Sequence, residues 1–300
     1  MIIITSSSGV YKYLPITKEI FKLIGCSSNV KNQSSTNFGY FGLCQDHKTN
    51  TVYFASRERG TKIFRKKKSA ATTIYSLQKE SSVPQPFFTL NGIEDVHQIA
   101  LDEFNFYLTD TGRNRIWVQD RALEKPPKIL SIGWRRKDIN HINAIKVSNG
   151  QLLVGLNNRG RSSEIIAFNS FAKCNSFRVF PMRPSQKFAL TGINHTHDLE
   201  LCEDAILFCA SNDGILYRLY IDGDVVIPRK LMEYDPWLRG IAVYDQRIWV
   251  GVSPVASRTE RYNTQQSAKL IEYSLTAGAI IDEHILDKIG QINDILWLDG

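Results

Sequence analysis

The chain has 300 residues, 43% of them hydrophobic and 11% aromatic, which is ample for a core and leans toward strands. A formal charge of +7 and a pI near 9.1 favour an anionic partner over a cationic one. No apolar run approaches the roughly 18 residues of a membrane helix, and the four-residue apolar N-terminal stretch lacks a positive flank, so neither a membrane span nor a signal peptide is expected.

In chain order, MIIITSS, VYKYLPI and KEIFKLIG (residues 1–25) read as three strands around polar turns. The phrase MIIITSSSGVYKYL returns as AILFCASNDGILYRL at 205–219, so the chain opens partway through a repeat. The Ser- and Asn-rich stretch Cys26 to Asn37 reads as a long connection, a candidate flap. YFGLCQD (40–46) then begins a series of six segments, each a polar step followed by alternating apolar residues. The others are VHQIALD (96–102), INAIKVS (142–148), THDLELC (196–202), LRGIAVY (238–244) and INDILWL (292–298). Aligned, they place Phe41, His97, Asn143, His197, Arg239 and Asn293 in one column, at spacings of 56, 46, 54, 42 and 54 residues. A period of about 50 residues suits four short strands and their turns.

Each segment is followed by further strand-like runs: FYLTD, RIWVQD and PKILSIG; QLLVGLN, EIIAFNS and SFRVFP; AILFCAS, ILYRLYI and VVIPRKL; RIWVGVS, AKLIEYS and AIIDEHIL. Turn residues at Asp110–Gly112, Asn157–Gly160 and Asn212–Gly214 separate the second and third runs. A β-sandwich is the alternative. The split repeat favours a ring in which the last segment joins the first three strands, leaving no open sheet edge. The expectation is an all-β, six-bladed β-propeller of four antiparallel strands per blade, forming one domain over 1–300. Blade 1 covers about 38–90, blade 2 about 95–133, blade 3 about 141–181, blade 4 about 195–232 and blade 5 about 237–287. Blade 6 combines 1–25 with 290–300.

In such a ring the aligned column faces the channel mouth. Four of the six histidines, His97, His141, His195 and His197, fall where one blade passes to the next. Imidazoles serve as acid or base near neutral pH, and with a third ligand can hold a transition metal. His97, His197 and Arg239 are therefore candidate catalytic residues, and His97 with His197 a candidate metal pair. Phe41, Asn143, Asn293, Asp198, Asp294, His141, His195, Arg159 and Arg258 are candidate substrate contacts. A guanidinium at Arg239 suits a carboxylate, phosphate or sulfate. The alternatives are polar residues that hold water and knit blades together, and an internal salt bridge from Arg239 to Asp198 or Asp294.

Loops sharing that mouth carry Arg57, Arg59, Lys62, Arg65 to Lys68, Arg113, Arg115, Arg159, Arg161, Arg258 and Arg261, with Arg135 to Lys137 from a blade junction. A cationic rim would focus an anionic ligand onto the axis; solvated loops with locally paired Glu58 and Glu260 are the other reading. Aromatics do not interleave with these charges, which disfavours nucleic acid. No GxSxG, GxxxxGK[ST], HExxH or GxGxxG motif occurs.

The polar step before a Gly-Leu-like pair, as in YFGL, INAI and LRGI, resembles that of the gluconolactonase, strictosidine synthase and NHL-type six-bladed propellers. The resemblance implies an axial ligand site. The calcium-dependent lactonases of that group gather Glu, Asp and Asn around the ion. The column here has no carboxylate, so calcium is not expected, and propeller lyases with axial histidines are the nearer chemical match. WLRGIAV followed by VGVS also resembles segments of uncharacterised bacterial propellers.

Two functions stand at this point. One is a lyase or hydrolase acting on an anionic small or carrier-borne substrate, with a divalent transition metal as an open question. The other is a non-catalytic propeller binding an anionic protein or glycan through the basic face. Five cysteines (Cys26, Cys44, Cys174, Cys202, Cys209) without CxxC spacing read as reduced thiols in a cytoplasmic protein. Ring closure gives no reason to expect more than a monomer.

Overall fold

The computed structural model describes residues 1–25, 39–57, 71–93, 95–132, 138–169, 184–222, 225–257, 260 and 263–298. Six sheets of four antiparallel strands follow one another around a ring. Five are continuous in sequence. Their innermost strands are Gly39–Asp46, Ile99–Leu101, Ile142–Ser148, Thr196–Cys202 and Leu238–Tyr244. In the sixth, the C-terminal strand Ile292–Trp297 is innermost and pairs antiparallel with Ile2–Ser6, the partners running from Ile2 with Trp297 to Ser6 with Ile292. Gly9–Leu14 and Glu19–Gly25 complete that blade. The protein is a six-bladed β-propeller sealed by its own two ends.

Alternating apolar residues give every sheet two sticky faces, and the ring buries them between neighbours. Six hydrophobic clusters result, one at each blade-to-blade contact. Tyr107, Ile116, Leu152 and Phe168 join blades 2 and 3, for example, while Ile3, Val10, Tyr40 and Phe54 join blade 6 to blade 1. Outermost strands are more exposed, and the fourth strand of blade 4 accommodates Pro228 there.

One strand differs from expectation. The fourth strand of blade 3 is Gln186–Leu190, with Phe188 and Leu190 turned inward, and SFRVFP (176–181) lies outside the described residues. Both runs alternate, so periodicity did not separate them. The stretch Cys26 to Asn37, Arg258, and the basic residues at 59–68, 135–137 and 261 also lie outside the described residues. No helix among the described residues is long and apolar enough to cross a membrane.

Bulges decide which side chains meet the axis. The register of the innermost strand slips by one residue between Phe41 and Leu43, between Ile142 and Ala144, and between Arg239 and Ile241, and it shifts again between His197 and Glu200. A bulge bends the strand and re-aims the side chain at that point. The following residue takes a left-handed backbone at Gly42 (φ 56°), Asp198 (φ 55°) and Gly240 (φ 75°). At Gly42 and Gly240 the next blade also sits too close for a side chain. A Cβ would lie 2.5 Å from Ile99 N at the first and 2.8 Å from Ile295 N at the second.

Candidate functional site at the channel mouth

A cavity of about 570 Å³ opens at one end of the channel. Its walls include Phe41, His97, His197, Arg239 and Asn293 from the aligned column, together with His141, His195 and Arg159. Eight of the sequence candidates therefore converge on one space.

A second ring lies two residues before the column. Asp95, His141, His195 and Trp237 occupy that position in four successive blades, and all four line the cavity. All four also have positive φ, at 71°, 47°, 55° and 76°. None is glycine, so each left-handed residue costs on the order of 1–2 kcal/mol. Non-glycine strain of this kind clusters at ligand sites, and here it recurs at one repeat position. The sequence singled out His141 and His195 by residue type but missed Asp95 and Trp237. The signal was available in the offset of minus two from the column.

Each imidazole is held differently. His97 is placed through its backbone, whose N–H donates to Thr109 Oγ1 at 2.8 Å. Its ring packs edge-on against Phe41 at 6.1 Å and His141 at 5.6 Å, and stands 6.3 Å from His197. Burial pulls the His97 imidazole well below the usual histidine range; Asp95 opposes this, whereas His141, Arg57 and Arg239 reinforce it. His197 is buried, and its Nε2 accepts from Asn143 Nδ2 at 3.1 Å. Burial likewise drives its imidazole well below the usual range, with Arg239 the largest charge contribution. Both rings are therefore neutral at pH 7. His141 Nδ1 is bonded to Asp138 at 2.8 and 3.0 Å, which directs Nε2 away from that carboxylate.

The cations are less open than the sequence suggested. Arg57 is buried, pairs with Asp95 and lies 4.5 Å above the Phe41 ring. Arg159 pairs with Asp138. Arg115 pairs with Asp110 at 2.6 Å and donates to Gly92 O at 3.3 Å, and Arg113 donates to the same carbonyl at 2.8 Å, so these two knit blades 1 and 2 together. Arg239 lies on the cavity wall, 5.8 Å from the Trp237 ring. The described part of the rim is a set of braced guanidiniums.

Three candidates are not on this wall. Asn143 is 1% exposed and sits behind His197, also donating to Thr196 O at 3.3 Å. Asp198 and Asp294 face a smaller cavity of about 180 Å³ at the other end of the channel. They belong to a belt that locks alternate blades. Gln98 Oε1 of blade 2 accepts from Ile145 N at 3.1 Å, and its Nε2 donates to Asp198 Oδ1 at 2.7 Å. Asp198 Oδ2 of blade 4 accepts from Gly240 N at 2.9 Å, and Asp294 Oδ2 of blade 6 from Leu43 N at 2.7 Å. Side chains of even blades thus satisfy backbone groups of odd ones. Burial raises Asp198 to about 6, against the pull of Gly240 N–H, Arg239 and Gln98. Burial also holds Asp294 well above the usual carboxylate range, and the Asp198 charge adds to it. Asp198 directly follows His197 and Asp294 directly follows Asn293, so each points away from the column residue before it.

For a metal at the mouth, no His, Cys, Asp or Glu among the described residues completes a three-donor cluster with His97 and His197. Among the described residues, three His, Cys, Asp or Glu donor atoms come within 4.8 Å of one another only at Glu272, Asp282 and His284 of blade 5.

No family model and no curated protein matches the chain. Solved structures do. A chain of a nidogen/laminin complex superposes with a TM-score of 0.67 at 12% identity, covering 98% of this chain and 97% of that one. A "putative 6-phosphogluconolactonase" from Bacteroides fragilis gives 0.62 at 11%, covering 99% and 97%, and another from Bacteroides uniformis 0.58 at 10%, covering 94% and 81%. At such identities the likeness establishes the propeller fold, and the chemistry has to come from the mouth itself.

Proposed function

We propose that the mouth cavity is the active site of a lyase- or hydrolase-type propeller enzyme that performs a proton-transfer step on an anionic small or carrier-borne substrate. The observation that carries this reading is the row His141, His97 and His197, contiguous at 5.6 and 6.3 Å, in a cavity walled by strained non-glycine residues. His97 is the general base: neutral by burial, ring facing the cavity, with no ring hydrogen bond among the described residues. In an elimination it takes the proton next to a carbonyl. The electron pair forms the double bond, and the leaving oxygen receives a proton from His141, whose ring Asp138 orients through Nδ1. In a hydrolysis the same base takes its proton from water. His197 orients the substrate as a donor. Arg239 and Arg159 receive the anionic group, and Asn293 and Phe41 complete the wall.

The names of the two Bacteroides neighbours are in keeping with hydrolysis of a sugar-acid ester bond, the narrower form of this reading. Cys44, Cys202 and Cys209 are free thiols, in keeping with a cytoplasmic setting.

The test is a panel of anionic esters, lactones and β-eliminable acids assayed with the purified protein and with His97→Ala and Arg239→Leu. Turnover lost with His97→Ala, and KM raised with Arg239→Leu, support the reading. Turnover equal in all three proteins refutes it. A non-catalytic surface for an anionic protein or glycan is the outcome if no member turns over while a polyanion binds both variants as it binds the parent.

A further inference from the structure

The apolar layer between blades 5 and 6, built from Ile2, Ile4, Trp249, Leu270, Leu286 and their neighbours, contains two ionisable side chains that the mouth does not use. Glu272 and His284 are each 5% exposed. Burying such groups is costly unless something pairs with them. Register explains how they meet. Glu272 pairs across the sheet with Asp282, and His284 follows Asp282 by two residues, so all three share one face.

From blade 6, Tyr13 reaches over this face and bonds His284 Nδ1 at 2.6 Å. The other ring nitrogen, Nε2, is buried without a hydrogen-bond partner. It is aimed between two carboxylate oxygens, Asp282 Oδ2 at 3.5 Å and Glu272 Oε2 at 4.0 Å. Donors at metal bonds of about 2.0–2.2 Å in a tetrahedron stand roughly 3.4 Å apart, so these positions need only small adjustments to meet on one ion.

We propose that Glu272, Asp282 and His284 form a divalent transition-metal site of the zinc class, with Tyr13 as the residue that positions the imidazole. One imidazole and two carboxylates suit zinc and its neighbours, whereas calcium takes six to eight oxygens. With the ion bound, Nδ1 carries the proton and donates to Tyr13 Oη, the outer contact a ligating histidine needs. Glu272 Oε1 is held by Arg247, leaving Oε2 for the ion. Lys18 occupies Asp282 Oδ2 at 2.8 Å from an exposed turn of blade 6 and competes with the cation for it. Binding here ties blade 5 to the split blade, a role separate from the mouth.

The test uses the full chain stripped with a chelator and titrated with Zn²⁺ against a fluorescent zinc indicator, in a His97→Ala/His197→Ala background that removes the candidate metal pair of the mouth. One equivalent is expected to bind. Glu272→Gln, Asp282→Asn and His284→Gln should each weaken it at least tenfold, Tyr13→Phe by about ten- to a hundredfold, and Lys18→Ala should tighten it. Co²⁺ should show the visible bands of a four-coordinate site in the parent and lose them in Glu272→Gln. Absence of stoichiometric zinc in the double-alanine background overturns the proposal. So does unchanged affinity in Glu272→Gln and Asp282→Asn proteins with parental circular dichroism.

Discussion

Asn143 Nδ2 donates to His197 Nε2 at 3.1 Å from the neighbouring blade, so one column residue sets the tautomer of the next. With Nε2 accepting, the proton of the neutral ring is on Nδ1. Long-range ¹H–¹⁵N spectra of the histidine rings should therefore show His197 as the Nδ1-protonated tautomer. Asn143→Ala should return it to the ordinary Nε2-protonated form at a cost of about 1 kcal/mol in stability. A parent protein already protonated on Nε2 rules this relationship out.

Acid should weaken the fold through the two mouth imidazoles. Folded His97 and His197 titrate well below 6.5, whereas the unfolded chain titrates near 6.5. Their contribution is thus fully present above about pH 6.5 and is lost as pH falls toward the folded values, because the unfolded state takes up the protons first. Urea midpoints should decline from pH 7 to 5 in the parent, and less steeply in His97→Gln/His197→Gln. Equal slopes would show that neither ring is held neutral.

The belt gives the opposite sign. Asp198 is raised to about 6, so its contribution is present in acid and lost as pH rises through that value. Gln98→Leu removes the partner of Ile145 N and one donor to Asp198. It should cost about 2 kcal/mol or more, and more at pH 8 than at pH 5, in equilibrium unfolding at the two pH values. A cost independent of pH would mean that Gln98 acts on Ile145 alone.

Two glycines with similar backbones should respond differently to alanine. Gly42→Ala meets Ile99 N at 2.5 Å, whereas Gly160→Ala meets nothing within 4 Å, although its φ is also positive. The first should lose about 3 kcal/mol and the second about 1 kcal/mol, from backbone strain alone. Comparable losses in a denaturant series would remove the close blade contact as the reason for glycine at 42.

The ring was legible because repetition exposes it: the split repeat at residues 1–25 and 292–298 has only one economical closure. The mouth was partly legible for the same reason, since residues at one repeat position share one place in the ring. Conformation within the repeat was not. Strand alternation cannot show that a bulge follows Phe41 or Arg239, nor that the backbone at Asp95, His141, His195 and Trp237 is left-handed. Hydroxyl braces such as Thr109 under His97 were also hidden, because a threonine in a strand reads as ordinary β composition.

The most direct test of the mouth is ring-resolved. Histidine ¹⁵N signals would be followed during titration with inorganic phosphate and with a panel of small carboxylates, in the parent and in Arg239→Leu. His97, His141 and His197 should shift together and saturably with at least one anion, His47 and His284 should stay still, and Arg239→Leu should weaken the response at least tenfold. Rings at the mouth that ignore every anion, or that respond identically without the guanidinium, would contradict an anion site there.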